Sequence, residues 1–333
     1  MNNQISQITN KAIDGGEITA LELRSLLNVD SLSEEAYLIQ CAARKVSAAA
    51  ANGKAEVYAQ VGMDVGPCPK DCQFCSFAPV NKVFPKEKVY SLEEIIEKSL
   101  RFEVDGANAI YLMATANYKF ADYLEVTKEV RAALKPKTPM VANIDDFDED
   151  EARALKKAGF AGVYHVMRMG EGIVTGIDPQ VRVRTITAAQ KAGLLVGACV
   201  EPIGPEHSID EIVEKAMFIK KMKLVHAGVG RRLKIPGSPL AIHGILTGVQ
   251  QAHIVGAVKL AMGYSIAGHG AGCGCEELTT LAGGNLLWAE SGSNPRDTKA
   301  NTVIGGTVAS KREILHETGW KIVDGPSVLF SPR

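Results

Sequence analysis

The chain has 333 residues, 46% of them apolar and 6% aromatic, and its 37 Lys plus Arg nearly balance 38 Asp plus Glu, for a formal net charge of −1. That balance supplies no long-range field for nucleic acid or an anionic membrane surface, and no run of eighteen apolar residues is present to span a bilayer. The opening MNNQISQITN lacks the basic-then-apolar layout of a secretory leader, so the expectation is a cytoplasmic protein with one large α/β core.

Residues 1–54 read as helices alone: 5–13, 19–27, and a longer one opened by Ser33 and closed near Gly53. They form a helical extension ahead of a second region, 55–333. There, eight strand-like runs alternate with helices: 56–62, 109–113, 139–144, 161–166, 194–200, 226–234, 263–268 and 284–289. Helix starts are marked by Ser91-x-x-Glu94, Asp148-x-x-Glu151 and Ser208-x-x-Glu211, each with an N-cap oxygen three residues before a Glu. Asp178-Pro179 adds a cap followed by Pro at the first helical position, and Gly159 and Gly193 act as helix stops. The alternation predicts a complete (β/α)8 TIM-type barrel, whose active site belongs on the face formed by the loops after the strands.

The loop after the first strand carries Cys68-Pro-Lys-Asp-Cys72-Gln-Phe-Cys75, three of seven cysteines within eight residues. Three thiolates on one loop suit three irons of a [4Fe–4S] cube and leave the fourth iron open to a small molecule. Zinc is the main rival, but a structural zinc wants four N or S ligands, and no second C-x2-C pair or nearby His is present. Pro67, Pro69, Lys70 and Asp71 make the segment a polar loop rather than a buried run. An odd, clustered cysteine count also fits a reducing compartment. Cys41 reads as a buried small residue on the third helix, whereas Cys273 and Cys275 crowd into a glycine-rich stretch at 270–276 that lets backbone approach a cluster closely.

The cysteine spacing, with aromatic Phe74 directly before the last thiol, is similar to the signature of radical S-adenosylmethionine (SAM) enzymes. Over residues 35–330 the chain resembles their biotin-synthase-like branch, which includes biotin and lipoyl synthases, methylornithine synthase and a hydrogenase maturase. The helical preface, the segment Lys234-Ile-Pro-Gly-Ser-Pro-Leu-Ala241 and a closing Gly-Gly-Asn-Leu-Leu strand carry the likeness. The resemblance implies that Cys68, Cys72 and Cys75 hold a [4Fe–4S] cluster whose open iron chelates SAM. One electron, from a flavodoxin or ferredoxin, then cleaves SAM to a 5′-deoxyadenosyl radical that abstracts hydrogen from a small-molecule substrate.

By the same resemblance Phe74 lies near the adenine, and Met113-Ala114-Thr-Ala-Asn117 replaces a glycine-rich stretch that would face the SAM amine. Arg168 and Glu171 occupy positions for the SAM carboxylate and the ribose hydroxyls. Glu201 follows strand 5, and Arg231 and Arg232 lie in strand 6, where alternation turns one inward toward Glu201 or a substrate carboxylate. Biotin synthases of the common type hold a second cluster with cysteines from strands 2, 3 and 5; those neighbourhoods here read Leu112, Ala142 and Gly197. Cys273, Cys275 and Cys199 are the candidate ligands of a different auxiliary iron–sulfur cluster, which would support sulfur insertion of biotin or lipoyl type. The alternative is a single-cluster rearrangement or fragmentation of an amino-acid-like substrate, and a non-catalytic iron–sulfur carrier is a third class. Neither nucleic acid nor membrane is an expected partner, and a homodimer is one of the open assemblies.

Overall fold

The structure, a computed structural model, describes residues 3–292, 294–298 and 305–331. Eight parallel strands close into a barrel: β1 (Lys54–Gly62), β2 (Ala109–Met113), β3 (Met140–Asn143), β4 (Phe160–Tyr164), β5 (Leu195–Gly197, resumed at Val200–Ile203), β6 (His226–Arg231), β7 (Gly268–Gly270) and β8 (Leu286–Ser291). Each strand pairs with the next, and β8 returns to β1 in a register running from Glu56↔Leu286 to Val61↔Ser291. Closure leaves no open sheet edge. The (β/α)8 expectation therefore holds. Among the described residues, no helix is long and apolar enough to cross a membrane.

The local capping signals act as read, whereas Cys41, expected to be buried on the third helix, is exposed. Ser91, Asp148 and Ser208 each complete a reciprocal capping box, and Asp178 caps the helix that Pro179 begins. The strand ends differ where side chains leave the ladder. The pattern places strand 7 at 263–268, yet Gly263, at φ 59, still caps a helix, and only Gly268–Gly270 pairs. Strand 6 stops at Arg231 because the two arginines at its end turn to bond loop groups instead.

Of the three N-terminal helices, α1 (Asn3–Ile13), α2 (Ala20–Leu27) and α3 (Glu34–Ala50), the third packs along Gly248–Met262, the crossover helix between β6 and β7, while α1 lies mainly on α3 and α2 bridges Gly248–Met262 and the helix Ile209–Met222. Covered on both sides, the crossover helix buries nearly all its residues, including Lys259. With no carboxylate beside it among the described residues, the Lys259 ammonium is pushed down to about 7 by burial and donates to Gly263 O (3.0 Å) and Ile266 O (2.7 Å) at the helix end.

The barrel interior divides by composition. Where such interiors are usually layered with Val, Ile and Leu, one side here carries Tyr58, Tyr111, Tyr164 and Trp288, and the other carries Gly197, Gly228, Gly230, Gly268 and Gly270. The rings take the volume that the glycines vacate: a Cβ on Gly270 would meet Trp288 at 3.2 Å, and one on Gly162 would meet Phe330 at 2.6 Å. Phe330 enters from the N-terminal end of the barrel. Its tail is anchored by Val328 N donating to Glu56 Oε1 (2.9 Å), and by Asn108 Nδ2 donating to Val323 O and Gly325 O.

Candidate active site at the barrel mouth

The segment 66–78 folds into a loop beyond the C-terminal end of β1. A two-stranded ribbon, Asp64–Val65 with Lys88–Val89, frames it, and internal bonds from Cys68 N to Phe77 O and from Cys75 N to Cys72 O (both 2.8 Å) close it. Asn81 fastens it from behind, its Nδ2 donating to Gln73 O (3.0 Å) and Cys75 O (2.7 Å). The segment 170–176 pairs with it through Gln73 N to Val174 O (2.9 Å) and Gly176 N to Lys70 O (3.1 Å), and Lys70 meets Asp145 at 3.0 Å. All three thiols are free and half-buried. Burial pushes Cys72 and Cys75 up to about 12 and raises Cys68.

Such thiols stay protonated until a metal displaces the proton. Among the described residues, no group of three Cys, His, Asp or Glu side chains is arranged to share one metal ion. The donor set of three thiols without a fourth side chain suits a cube with an open iron better than a closed structural zinc site.

One recess borders this loop, and another lies over the barrel. The first, about 200 Å³, is lined by Phe74, Met169, Val174, Pro202 and Leu240, with Arg232 and Glu206 in its wall. The second, about 100 Å³, opens over the barrel interior. Tyr111, Tyr164 and Trp288 line it, together with Gln60, Asn143, Arg168, Glu201, Glu290 and Arg296. Arg168 pairs with Glu201, which also accepts from Tyr164 Oη at 2.6 Å. Burial works against the Arg168 charge, yet Glu201 raises its pKa on balance.

Cys199 and Cys273 both line the second recess. Cys199 sits at the break in β5, and Cys273 follows β7 at φ 80, a left-handed conformation rare for a residue with a side chain. Arg231 stabilises that turn by donating to Cys273 O (2.9 Å) and Gly274 O (3.0 Å). Glycines clear space around both sulfurs: a Cβ on Gly228 would lie 2.7 Å from Cys199 Sγ, and one on Gly230 would lie 3.5 Å from Cys273 Sγ. Arg296 Nη1 approaches Cys273 Sγ at 3.6 Å while its Nη2 bonds Glu290 at 2.6 Å. Burial pushes Cys273 up to about 11 against the pull of Arg296, and raises Cys199 well above the usual thiol range.

Several expected groupings do not form. Cys275 turns away from the recess and donates to Gln251 Oε1 at 3.0 Å, because the glycine between the two cysteines, at φ 85, sends their side chains apart. Neither strand-6 arginine meets Glu201: Arg231 is spent on loop carbonyls, and Arg232 pairs with Glu206 and Gly244 O. Glu171 is buried, its oxygens engaged by Arg168 N (2.7 Å), Thr175 Oγ1 (3.1 Å) and Arg182 (3.5 Å). Ala114 is buried with its amide bonded to Asn143 O, and Asn117 braces the cysteine loop by donating to Pro67 O.

Pattern reading overlooked Tyr164, Arg182, Arg296 and the Asp146–His165 pair (3.0 Å). Arg182 lies beside Asp146 (3.1 Å). Only the position of Tyr164 at the end of a barrel strand carried a signal for any of them.

Comparisons with known proteins agree with this picture. Residues 66–219 match the model of the radical SAM superfamily. The biotin synthase of Carboxydothermus hydrogenoformans is 26% identical over 234 residues, 67% of this chain and 70% of that protein. That of Desulforudis audaxviator is 27% identical over 248 residues, 71% and 74% of the two chains. Among solved structures, methylornithine synthase (PylB) superposes with a TM-score of 0.79 at 17% identity, covering 97% of this chain and 98% of that one. HydG, a maturase of the [FeFe]-hydrogenase, superposes at 0.80 and 16%, covering 97% and 76%. At these identities the two superpositions speak for the fold.

Proposed function

We propose that this chain, similar to the radical SAM superfamily over residues 66–219 and to biotin synthases over about 70% of its length, is a radical SAM enzyme that inserts sulfur into a small substrate held in the recess above Tyr111, Tyr164 and Trp288. Cys68, Cys72 and Cys75 hold the [4Fe–4S] cluster, and Cys199 and Cys273, with Arg296 beside them, hold a second iron–sulfur group. When bound, the first cluster and SAM supply reductive cleavage and a radical able to take hydrogen from an unactivated carbon. The recess behind Phe74 receives the adenine ring between apolar walls. Arg168, held by Glu201, presents donors to the carboxylate of the cofactor, and Glu171 holds the 168–176 turn in place rather than touching ribose. The aromatic floor keeps water from the reacting carbon. A low-potential flavodoxin or ferredoxin supplies the electron.

The observation that supports sulfur insertion is the pairing of Cys199 and Cys273 in a chamber that glycines keep open. The reading is tested by anaerobic reconstitution with iron and sulfide counting on the parent, Cys199→Ala/Cys273→Ala and Cys275→Ala. The double variant is expected to lose iron and sulfide while Cys275→Ala keeps both; equal contents in all three would remove the proposal. One observation favours the single-cluster alternative: a recess of about 100 Å³ offering two thiols suits a small amino-acid-like substrate as well.

A further inference from the structure

The ring cluster in the barrel is more than filler. Tyr58, Tyr111, Tyr164, Trp288 and His226 form one contiguous group, with centroid separations from 5.3 Å (Tyr58–Trp288) to 6.5 Å (Tyr164–Trp288). Filling the volume opposite the glycines would be served by phenylalanine, which buries no hydroxyl. Instead each phenol is given a partner: Tyr164 Oη donates to Glu201 Oε1 (2.6 Å), Tyr111 Oη lies 3.3 Å from His226 Nε2, and Tyr58 Oη lies 3.4 Å from Ser327 Oγ. Oxidising a phenol makes it a strong acid. A tyrosine that is to be oxidised and restored in place needs a proton acceptor at its hydroxyl, and the two tyrosines lining the recess have a carboxylate and an imidazole there.

We propose that Tyr164, backed by Tyr111, Trp288 and Tyr58, is a hydrogen-atom donor that quenches carbon radicals which fail to reach product in this recess. This rests on the radical SAM reading of the same site. The step balances as R• + Tyr164–OH → R–H + Tyr164–O•: one C–H bond forms and one O–H bond breaks. The hole is then shared: Tyr111 passes an electron to Tyr164–O• and its phenolic proton to His226, while a proton from solvent returns to the Tyr164 oxygen, so that no phenolate is left against the Glu201 carboxylate. One electron from the flavodoxin-type or ferredoxin-type donor, with His226 returning its proton to Tyr111, restores the starting state. Confining the hole to buried rings keeps it off the sulfurs of Cys199 and Cys273, which share the recess.

The test uses the full chain with its cluster reconstituted, reduced and mixed with SAM without further substrate. Samples are freeze-quenched for electron paramagnetic resonance, and 5′-deoxyadenosine is counted in parallel. The expected result is an organic radical whose hyperfine width collapses in protein grown on ring-deuterated tyrosine. Tyr164→Phe should lose or shift the signal, and Tyr164→Phe/Tyr111→Phe should abolish it, with melting behaviour near that of the parent because the rings remain. Formation of 5′-deoxyadenosine without a tyrosine-derived signal, or an unchanged signal in the double variant, overturns the proposal. Absence of 5′-deoxyadenosine in the parent overturns the radical SAM reading and this inference together, so the two failures are distinguishable.

Discussion

Arg168 and Glu201 form the ion pair on which the mouth of the barrel turns, with side-chain exposures of 28% and 13%. Arg168→Ala leaves a largely buried carboxylate with the Tyr164 hydroxyl as its remaining side-chain donor. Breaking a fully buried pair by removing one partner costs about 3–5 kcal/mol. Partial exposure of Arg168 brings the expectation down to about 2–3 kcal/mol. Glu201→Gln keeps an acceptor for Tyr164 but strands the arginine, which water still reaches, for about 1–2 kcal/mol. With both changes made no charge is left unpaired, and the double variant should cost no more than Arg168→Ala alone. The implied coupling of about 1–2 kcal/mol lies within the range measured for residues in contact. Urea unfolding of the metal-free, reduced protein, read by circular dichroism on all four members of the cycle, measures it. Additivity within about 0.5 kcal/mol would show that the two groups do not hold each other.

Gly228→Ala places a methyl 2.7 Å from Cys199 Sγ and 2.8 Å from the Gly270 backbone, so β6 and β7 must part. Overpacking of this kind costs about 1–3 kcal/mol. The variant should lose iron from the second cluster and keep the first; unchanged iron content and melting temperature would refute the chamber. Asn81→Ala removes the clasp on Gln73 O and Cys75 O, and a chelator should then strip the first cluster several-fold faster, with equal rates as the refuting outcome. Asp146 responds to burial, which raises its pKa, and more strongly to His165 and Arg182, which bring it down to about 2 from 3.8. Because the folded value is the lower one, this stabilisation is complete above about pH 4 and lost as pH falls toward 2; it amounts to about 2 kcal/mol. Asp146→Asn should flatten the acid-unfolding profile in that window, and an unaltered profile would dismiss the assignment.

Much of this protein is legible without coordinates because its signals are local. Capping at Ser91, Asp148 and Ser208 depends on residues three apart, and the strand–helix alternation that predicts the barrel is a periodicity within short windows. The thiols of Cys68, Cys72 and Cys75 share one loop, so their proximity follows from spacing alone. What tertiary structure decided is which distant side chains share a wall. Cys199 and Cys273 line one recess because β5 and β7 both flank β6, while Cys275, two residues away, is turned outward by one glycine at positive φ. Glu201 finds Arg168 rather than an arginine of strand 6, because Arg231 and Arg232 satisfy loop carbonyls and Glu206 first. Side-chain direction at a strand end depends on where the ladder stops, and that is set by partners far away in the chain.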